Sequence, residues 1–463
     1  MKKKRFLIIF GIFFVLFLSL FYLLKTKRSE IFDYDISENY HYKFNTRNTT
    51  KLNLIENKLL IPDNLGKGTT AFIKVNIKST FLGKIFSPNI ELISKSAKVI
   101  DYFEFGGSGD RYLNISSLLQ EEAKQIELKS NFLEIQNATV ELIHFSKSIP
   151  TESKILIISP HPDDAEIAAF GLYSKFPNSF ILTITAGENG LMHYNEIFPD
   201  SIQHYLKKGQ IRTINSISIP LMAGLKHDHI LNLGYFDGTL KEMFDRDPHP
   251  VFSQILKTDS IGIFRNLNFS SLKDSLTGRS NWSSLVQNIQ LVLDFFQPDI
   301  IVSPHPQMDS HPDHQFSTLA TIEAIRNAGL NKGELFLYSN HHVKTEFFPF
   351  GKTGGTLSLP PNYDDDYHFH SVYSHALSEE DQMEKVLALD AMNDLRPNTQ
   401  WRYWHKLLHW TYQNIKVSIK GQQNTYFRRA IRSNELFFVV PIQELNDETP
   451  FEKTLTPNRV ILE

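Results

Sequence analysis

The chain has 463 residues, of which 41% are hydrophobic and 21% charged, a balance that excludes both a lone small module and wholesale disorder and leaves room for two or three folded units. Cysteine is absent, which excludes disulfides, thiol nucleophiles and thiolate metal sites and leaves imidazole and carboxylate to hold any metal. Residues 1–28 carry seven Lys or Arg and no acid, so the formal −3 of the whole chain leaves −10 on residues 29–463, a poor match for nucleic-acid phosphates.

The basic residues bracket an apolar run, Phe6 to Leu24, whose length approaches the hydrocarbon thickness of about 30 Å. Lys2–Arg5 and Lys25–Arg28 flank it and no small-residue cleavage site follows, so residues 1–28 read as an uncleaved transmembrane anchor. The basic bias favours an inside N-terminus, which would put the remaining chain on the extracytoplasmic side, periplasmic or cell-surface. Residues 29–68 are polar and irregular and read as a stalk. Between 69 and 146, short alternating runs such as Thr70–Ile77, Lys98–Phe105 and Thr139–Phe145 predict a small β-sandwich-like domain, more simply a spacer than a glycan-binding module. Residues 147–153 read as a linker.

From Lys154 the pattern becomes α/β. Residues 154–159 form an apolar run suited to a buried parallel strand, 164–175 are helical in spacing, and Phe180–Thr185 form a second strand. Leu285–Phe296 read as a helix, Asp299–Ser303 as a strand and 313–327 as a helix. This alternation predicts a doubly wound, mostly parallel, Rossmann-like sheet with its site at the carboxyl ends of the strands.

Two loops directly after predicted strands carry the chemistry: Ser159-Pro160-His161-Pro162-Asp163-Asp164-Ala165-Glu166, and Ser303-Pro304-His305-Pro306 leading into Asp309-Ser310-His311-Pro312-Asp313-His314. A hydrolytic zinc site needs three protein ligands, an open position for water and a nearby base. His161 and Asp164 supply two ligands from one loop, and the neighbouring Asp163 diverges to face the water. Pro312 suits the first helical position and puts His314 in the first turn as third ligand, with His311 beside the metal as acid or oxyanion stabiliser. His305 reads as a structural or supporting residue, and His341, His342, His368, His370 and His375, lacking a strand-end context, are given no metal role.

These residues resemble the PIG-L or LmbE-like deacetylase family, zinc enzymes that remove acetyl from N-acetylglucosaminyl conjugates. His161-Pro162-Asp163-Asp164 matches the first family motif and His311-Pro312-Asp313-His314 the second, with looser likeness at 187–190, 209–213, 233–238 and 434–437. The resemblance covers about residues 154–440. It implies a catalytic domain over 154–443, followed by a tail over 444–463, and it makes Arg212 and Asp237 candidates for holding the sugar and Asp313 for tuning His311. Relatives commonly place Glu directly after the Asp pair, where this chain has Ala165 before Glu166; some place a Tyr ahead of the second motif, where this chain has Asp309-Ser310.

The expectation is a metal-dependent hydrolase, with Zn2+ or alternatively Fe2+, that removes acetyl from a GlcNAc-type sugar in a glycan or glycolipid, Asp163 serving as base. A non-haem iron oxygenase also uses two His and one carboxylate, but it favours an all-β jelly roll and His-x-Asp spacing. The other alternative is a membrane-anchored glycan-binding or assembly protein with an inactive deacetylase-like domain. Trp401, Tyr403, Trp404 and Trp410 read as core at helical spacing before they read as sugar-stacking rings.

Overall fold

The computed structural model describes residues 10–19, 32, 34–44, 48–190, 194, 197–342, 345, 347–361, 368–392, 407–408, 411–412, 415 and 427–445. After an apolar helix, α1, over residues 10–19, the chain forms β1 (Lys43–Phe44), β2 (Asn48–Asn53), β3 (Lys58–Leu60), β4 (Thr69–Ser79), β5 (Asn89–Ile93), β6 (Lys98–Tyr102) and β7 (Ser108–Asn114). A short α2 (Ser116–Gln120), β8 (Gln125–Asn131), β9 (Leu133–Ile135) and β10 (Thr139–Ser146) follow. The pairings among β2–β10 are antiparallel, and only β5–β6 joins consecutive strands. One sheet runs β2-β10-β4-β7 with β9 also on β4, and the other runs β3-β8-β5-β6. Alternate residues including Leu59, Ile73, Val75, Ile90, Leu92, Leu113, Ile126 and Leu142 fill the core of this part. Strands thus lie within the segment 29–68 expected to be a stalk.

The second part begins with β11 (Ile155–Ser159), α3 (Asp164–Lys175), β12 (Ser179–Thr185), α4 (Ser201–Met222), β13 (Ile230–Tyr235), α5 (Leu240–Arg246) and α6 (Gly262–Arg265). It continues with α7 (Trp282–Phe296), β14 (Ile300–Pro304), α8 (Pro312–Asn327), β15 (Glu334–Tyr338), β16 (His368–Phe369), β17 (Ser371–Ala376), α9 (Glu379–Ala391) and β18 (Asn434–Pro441). Seven strands form one sheet in the order β13-β12-β11-β14-β15-β18-β17. The first five pair in parallel, while β18 runs antiparallel to both β15 and β17. Ile155, Ile157, Ile181 and Val302 face α3, α4 and α9, whereas Leu156, Ile158, Leu182 and Ile301 face α7 and α8. Burial on both faces is why these strands read as unbroken apolar runs.

Two expectations require correction. Over the described residues the chain is mixed α/β with mostly antiparallel pairing, so a doubly wound, mostly parallel fold class does not describe it; the two antiparallel sheets of the first part and the antiparallel β15–β18–β17 edge of the second are the reason. The transmembrane helix over Phe6–Leu24 is also overturned: no helix among the described residues is long and apolar enough to cross a membrane. Residues 6–9 and 20–24 of that run lie outside the described residues. Trp401, Tyr403, Trp404, Trp410 and the tail from 446 onward lie outside the described residues.

The two parts are joined by buried contacts. Asn114 Nδ2 donates to Leu357 O at 2.9 Å and to Ser374 Oγ at 3.0 Å, and Ser374 N–H donates to Thr70 Oγ1 at 2.9 Å. Tyr42 stacks on Phe369 and Phe438 while its hydroxyl donates to Pro360 O at 2.6 Å, and β1 pairs with β16.

Helix α3, which begins at the first motif, is broken at Ala169, whose φ of −143° is not helical. Glu435 from β18 accepts from the N–H groups of Gly171 and Leu172 at 2.9 and 2.8 Å, and Lys385 from α9 donates to Ile167 O and to Glu435 Oε1, both at 2.8 Å. A buried ion pair therefore replaces the helical hydrogen bonds lost at the break. Removing one member of a buried pair is far costlier than replacing both. Lys385→Met is expected to cost roughly 3–5 kcal/mol, read as a lower urea midpoint; an unchanged midpoint would show that the pair does not hold the break.

Candidate metal centre

The site is built from the loops that follow β11, β12, β13, β14 and β15 at one end of the sheet. In the first, Ser159 Oγ donates to His161 O at 2.7 Å and accepts from Ala165 N–H at 3.1 Å, and His161 N–H donates to Asp164 Oδ2 at 2.8 Å. These bonds fold His161 over the start of α3. Asp163 is the N-cap residue of α3, but its side chain makes no capping bond. Its Oδ1 instead accepts from Arg212 Nη2 at 3.1 Å. Gly187, at φ +62°, makes room for this: a Cβ there would lie 2.8 Å from Pro162 Cδ and 2.9 Å from Arg212 Cζ.

The second motif opens α8. His311 is its N-cap, Pro312 follows at the first helical position, and Asp313 N–H donates to His311 Nδ1 at 3.2 Å. That bond leaves the proton of a neutral His311 ring on Nε2. His314, one turn in, meets Asp309 Oδ2 through Nδ1 at 3.0 Å. A carboxylate only accepts, so Nδ1 carries the proton and Nε2 presents a lone pair.

His161 Nδ1, Asp164 Oδ2 and His314 Nε2 converge. His161 Nδ1 lies 3.2 Å from each of the other two, and His314 Nε2 lies 3.0 Å from Asp164 Oδ2. At the outer edge of His161, Nε2 faces Asp237 Oδ1 at 3.2 Å and Asp313 Oδ2 at 3.3 Å, which draws its proton there and leaves Nδ1 free to donate electrons. Three lone-pair donors this close repel one another unless a cation sits among them. Their separations approach the edges of a tetrahedron with bonds of 2.0–2.2 Å, about 3.3–3.6 Å. Imidazole rings backed by carboxylates are also the usual outer support of metal ligands. The donor set fits a divalent cation with three protein ligands and an open position.

The electrostatics agree. Burial opposes a charge on His161, but Asp237, Asp164 and Asp313 outweigh it and hold the ring well above the usual histidine range. For His314, burial is likewise outweighed by Asp164 and Asp309, raising it to about 10. In both cases the surroundings call for positive charge in this pocket, and a metal ion meets that call. His311 behaves oppositely: burial and the neighbouring His161 and His314 push it down to about 4.

The predicted residues all come to one place, with two differences of detail. Arg212 and Asp237 line the site through Asp163 and His161 respectively. The Asp313 carboxylate contacts His161 and accepts from Gly238 N–H at 2.6 Å and Leu240 N–H at 3.2 Å, whereas only its backbone N–H reaches His311. His305 is fully buried against Phe369 and Phe438, with Nδ1 accepting from Gln307 and Met308 N–H, a structural arrangement.

Sequence reasoning missed four residues. Asp309 anchors His314; Asn340 donates to Asp164 Oδ1 at 2.8 Å; Glu188, buried and thereby raised to about 8, accepts from Asp237 N–H; and His341 brings a ring nitrogen within 4.8 Å of the donor atoms of Asp164 and His314. Only the strand-end position of Asp309 and Glu188 signalled them.

Residues 156–325 match the family model described as PIG-L: GlcNAc-PI de-N-acetylase, a shorter extent than the 154–440 suggested by motifs. A search of curated proteins found no match. Among solved structures, a teicoplanin deacetylase in its zinc-inhibited form is 14% identical, covering 64% of this chain and 100% of its own, with a TM-score of 0.35. A 4-carboxy-2-hydroxymuconate hydratase from Pseudomonas putida is 12% identical over 62% of this chain and 95% of its own, with a TM-score of 0.30.

Outer carboxylates on metal-binding imidazoles usually contribute 10–100-fold in affinity. Asp309→Asn is therefore expected to weaken zinc binding by about that factor in competition with a chromophoric chelator; unaltered affinity would remove Asp309 from the support of the centre.

Proposed function

We propose, from the premise that residues 156–325 are a PIG-L family domain, that this chain is a zinc-dependent N-deacetylase. Its substrate would be an acetylated amino sugar of the N-acetylglucosamine type, carried in a glycan or glycolipid. The observation that carries the reading is the convergence of His161, Asp164 and His314 within 3.0–3.2 Å, with Asp163 and His311 beside them.

His161, Asp164 and His314 would hold the cation, two imidazoles and a carboxylate being a donor set that suits zinc. A dication bound there supplies Lewis acidity towards an acyl oxygen and acidifies water. The remaining chemistry belongs to the chain. Asp163, its carboxylate steadied by Arg212 at 3.1 Å, accepts the proton of the attacking water. As the new C–O bond forms, the C–N bond of the acetamide must break, and the amine cannot leave as an anion. The proton taken up by Asp163 reaches the nitrogen, giving acetate and a free amino sugar, while the Nε2–H of neutral His311 is suited to hydrogen bonding with the developing charge. Arg212 and Asp237, at the rim of the same cluster, are suited to hydrogen bonding with sugar hydroxyls.

The test is acetate release by the purified full chain from N-acetylglucosamine oligosaccharides and from N-acetylglucosaminyl-phosphatidylinositol. Chelation should abolish release and added zinc restore it. Asp163→Asn should retain zinc while turnover falls by about 10²–10⁴-fold, and His314→Ala should lose the metal. Full turnover by Asp163→Asn would remove the base, and no acetate from any acetylated sugar would sink the reading.

A further inference from the structure

We propose that His341 is a further catalytic residue, donating an imidazole N–H to the acyl oxygen as negative charge gathers on it. The proposal rests on the deacetylase reading above. Nothing in the sequence around Ser339-Asn340-His341-His342 marks this residue; the adjacency of β14 and β15 brings it in.

Its backbone is fixed on both sides. His341 N–H donates to Asp309 Oδ2 at 3.1 Å, and His341 O accepts from Ser310 N–H at 2.7 Å. Asp309 is the same carboxylate that holds His314, so the two imidazoles keep a set relation, with ring centres 4.8 Å apart at 73°. The His341 ring also lies 5.3 Å from that of His311. A nitrogen of His341 falls within 4.8 Å of the donor atoms of Asp164 and His314, while His311 groups with His161 and His314. Both rings therefore bring a nitrogen to the cluster, His311 beside His161 and His341 beside Asp164.

Two observations separate a hydrogen-bond donor from a fourth metal ligand. His161 and His314 each have a carboxylate on the outer ring nitrogen, the support that ligating imidazoles almost always carry. Among the described residues no carboxylate is hydrogen-bonded to the His341 ring in that way. The residue is also partly exposed, whereas His314 is fully buried, so a substrate can reach it. A neutral imidazole offers one N–H. Aimed at a developing oxyanion, such a fixed donor commonly contributes 10²–10³ in kcat.

The experiment compares His341→Ala and His341→Gln with the unaltered full chain in zinc-loaded form. His341→Ala should lower kcat by about 10²–10³-fold with KM within a few-fold and zinc content unchanged, and His341→Gln, which keeps a side-chain N–H, should recover part of the loss. A second measurement needs no turnover: acetohydroxamate, which presents an acyl oxygen to the centre, should bind His341→Ala at least tenfold more weakly. Equal kcat, equal hydroxamate affinity, or loss of zinc from His341→Ala would each overturn the proposal, the last by making the residue a ligand. Failure of the unaltered chain to release acetate would instead strike at the deacetylase reading, and the hydroxamate comparison would still decide the role of His341.

Discussion

One buried carboxylate, that of Asp309, organises the centre. Its Oδ2 receives the ring N–H of His314 and the backbone N–H groups of Asn340 and His341, and its Oδ1 receives that of His311. Burying an ionised carboxyl is expensive without such donors. Here burial works against the charge, yet His314, His341 and the backbone hold Asp309 down at about 2. The loop after β14 and the loop after β15 are thereby pinned to one another, and Asn340 passes the constraint on to Asp164 in the loop after β11.

Asp313 performs the matching task on the opposite side. It receives two amide protons from the loop after β13 and faces the outer nitrogen of His161. Glu188 then ties that loop to the one after β12 through the Asp237 amide. Short loops on separate strands are individually mobile elements. Carboxylates that each bridge two of them give the donor atoms a geometry that does not have to be assembled when the cation arrives, which is what a centre of this kind requires.

The strand-end motifs were legible because strands buried on both faces appear as apolar runs, and His-Pro or Asp-Asp at their carboxyl ends stands out against them. The strand Asn48–Asn53 was not, since its residues are almost all exposed and it is held by backbone pairing to β10, leaving no apolar period to read. The antiparallel edge of the sheet was hidden for a related reason: β17 and β18 are separated by α9 and a long stretch of chain, and their pairing is a long-range fact. His341 and Asn340 enter the centre through strand adjacency, and the Asp313 carboxylate chooses His161 over its sequence neighbour His311 because the amides of Gly238 and Leu240 draw it there.

The break in α3 sets the phase of the turn that carries Asp163 and Asp164. An uninterrupted helix rotates each residue by about 100° relative to the last, so one inserted residue anywhere along it would swing the far end to another bearing. With Ala169 out of helical geometry and its neighbours' amides secured by Glu435, the angular count restarts at that point. Length changes between 170 and 175 consequently leave the azimuth of Asp164 untouched, while a single insertion between 164 and 168 would turn it away from His161 and His314.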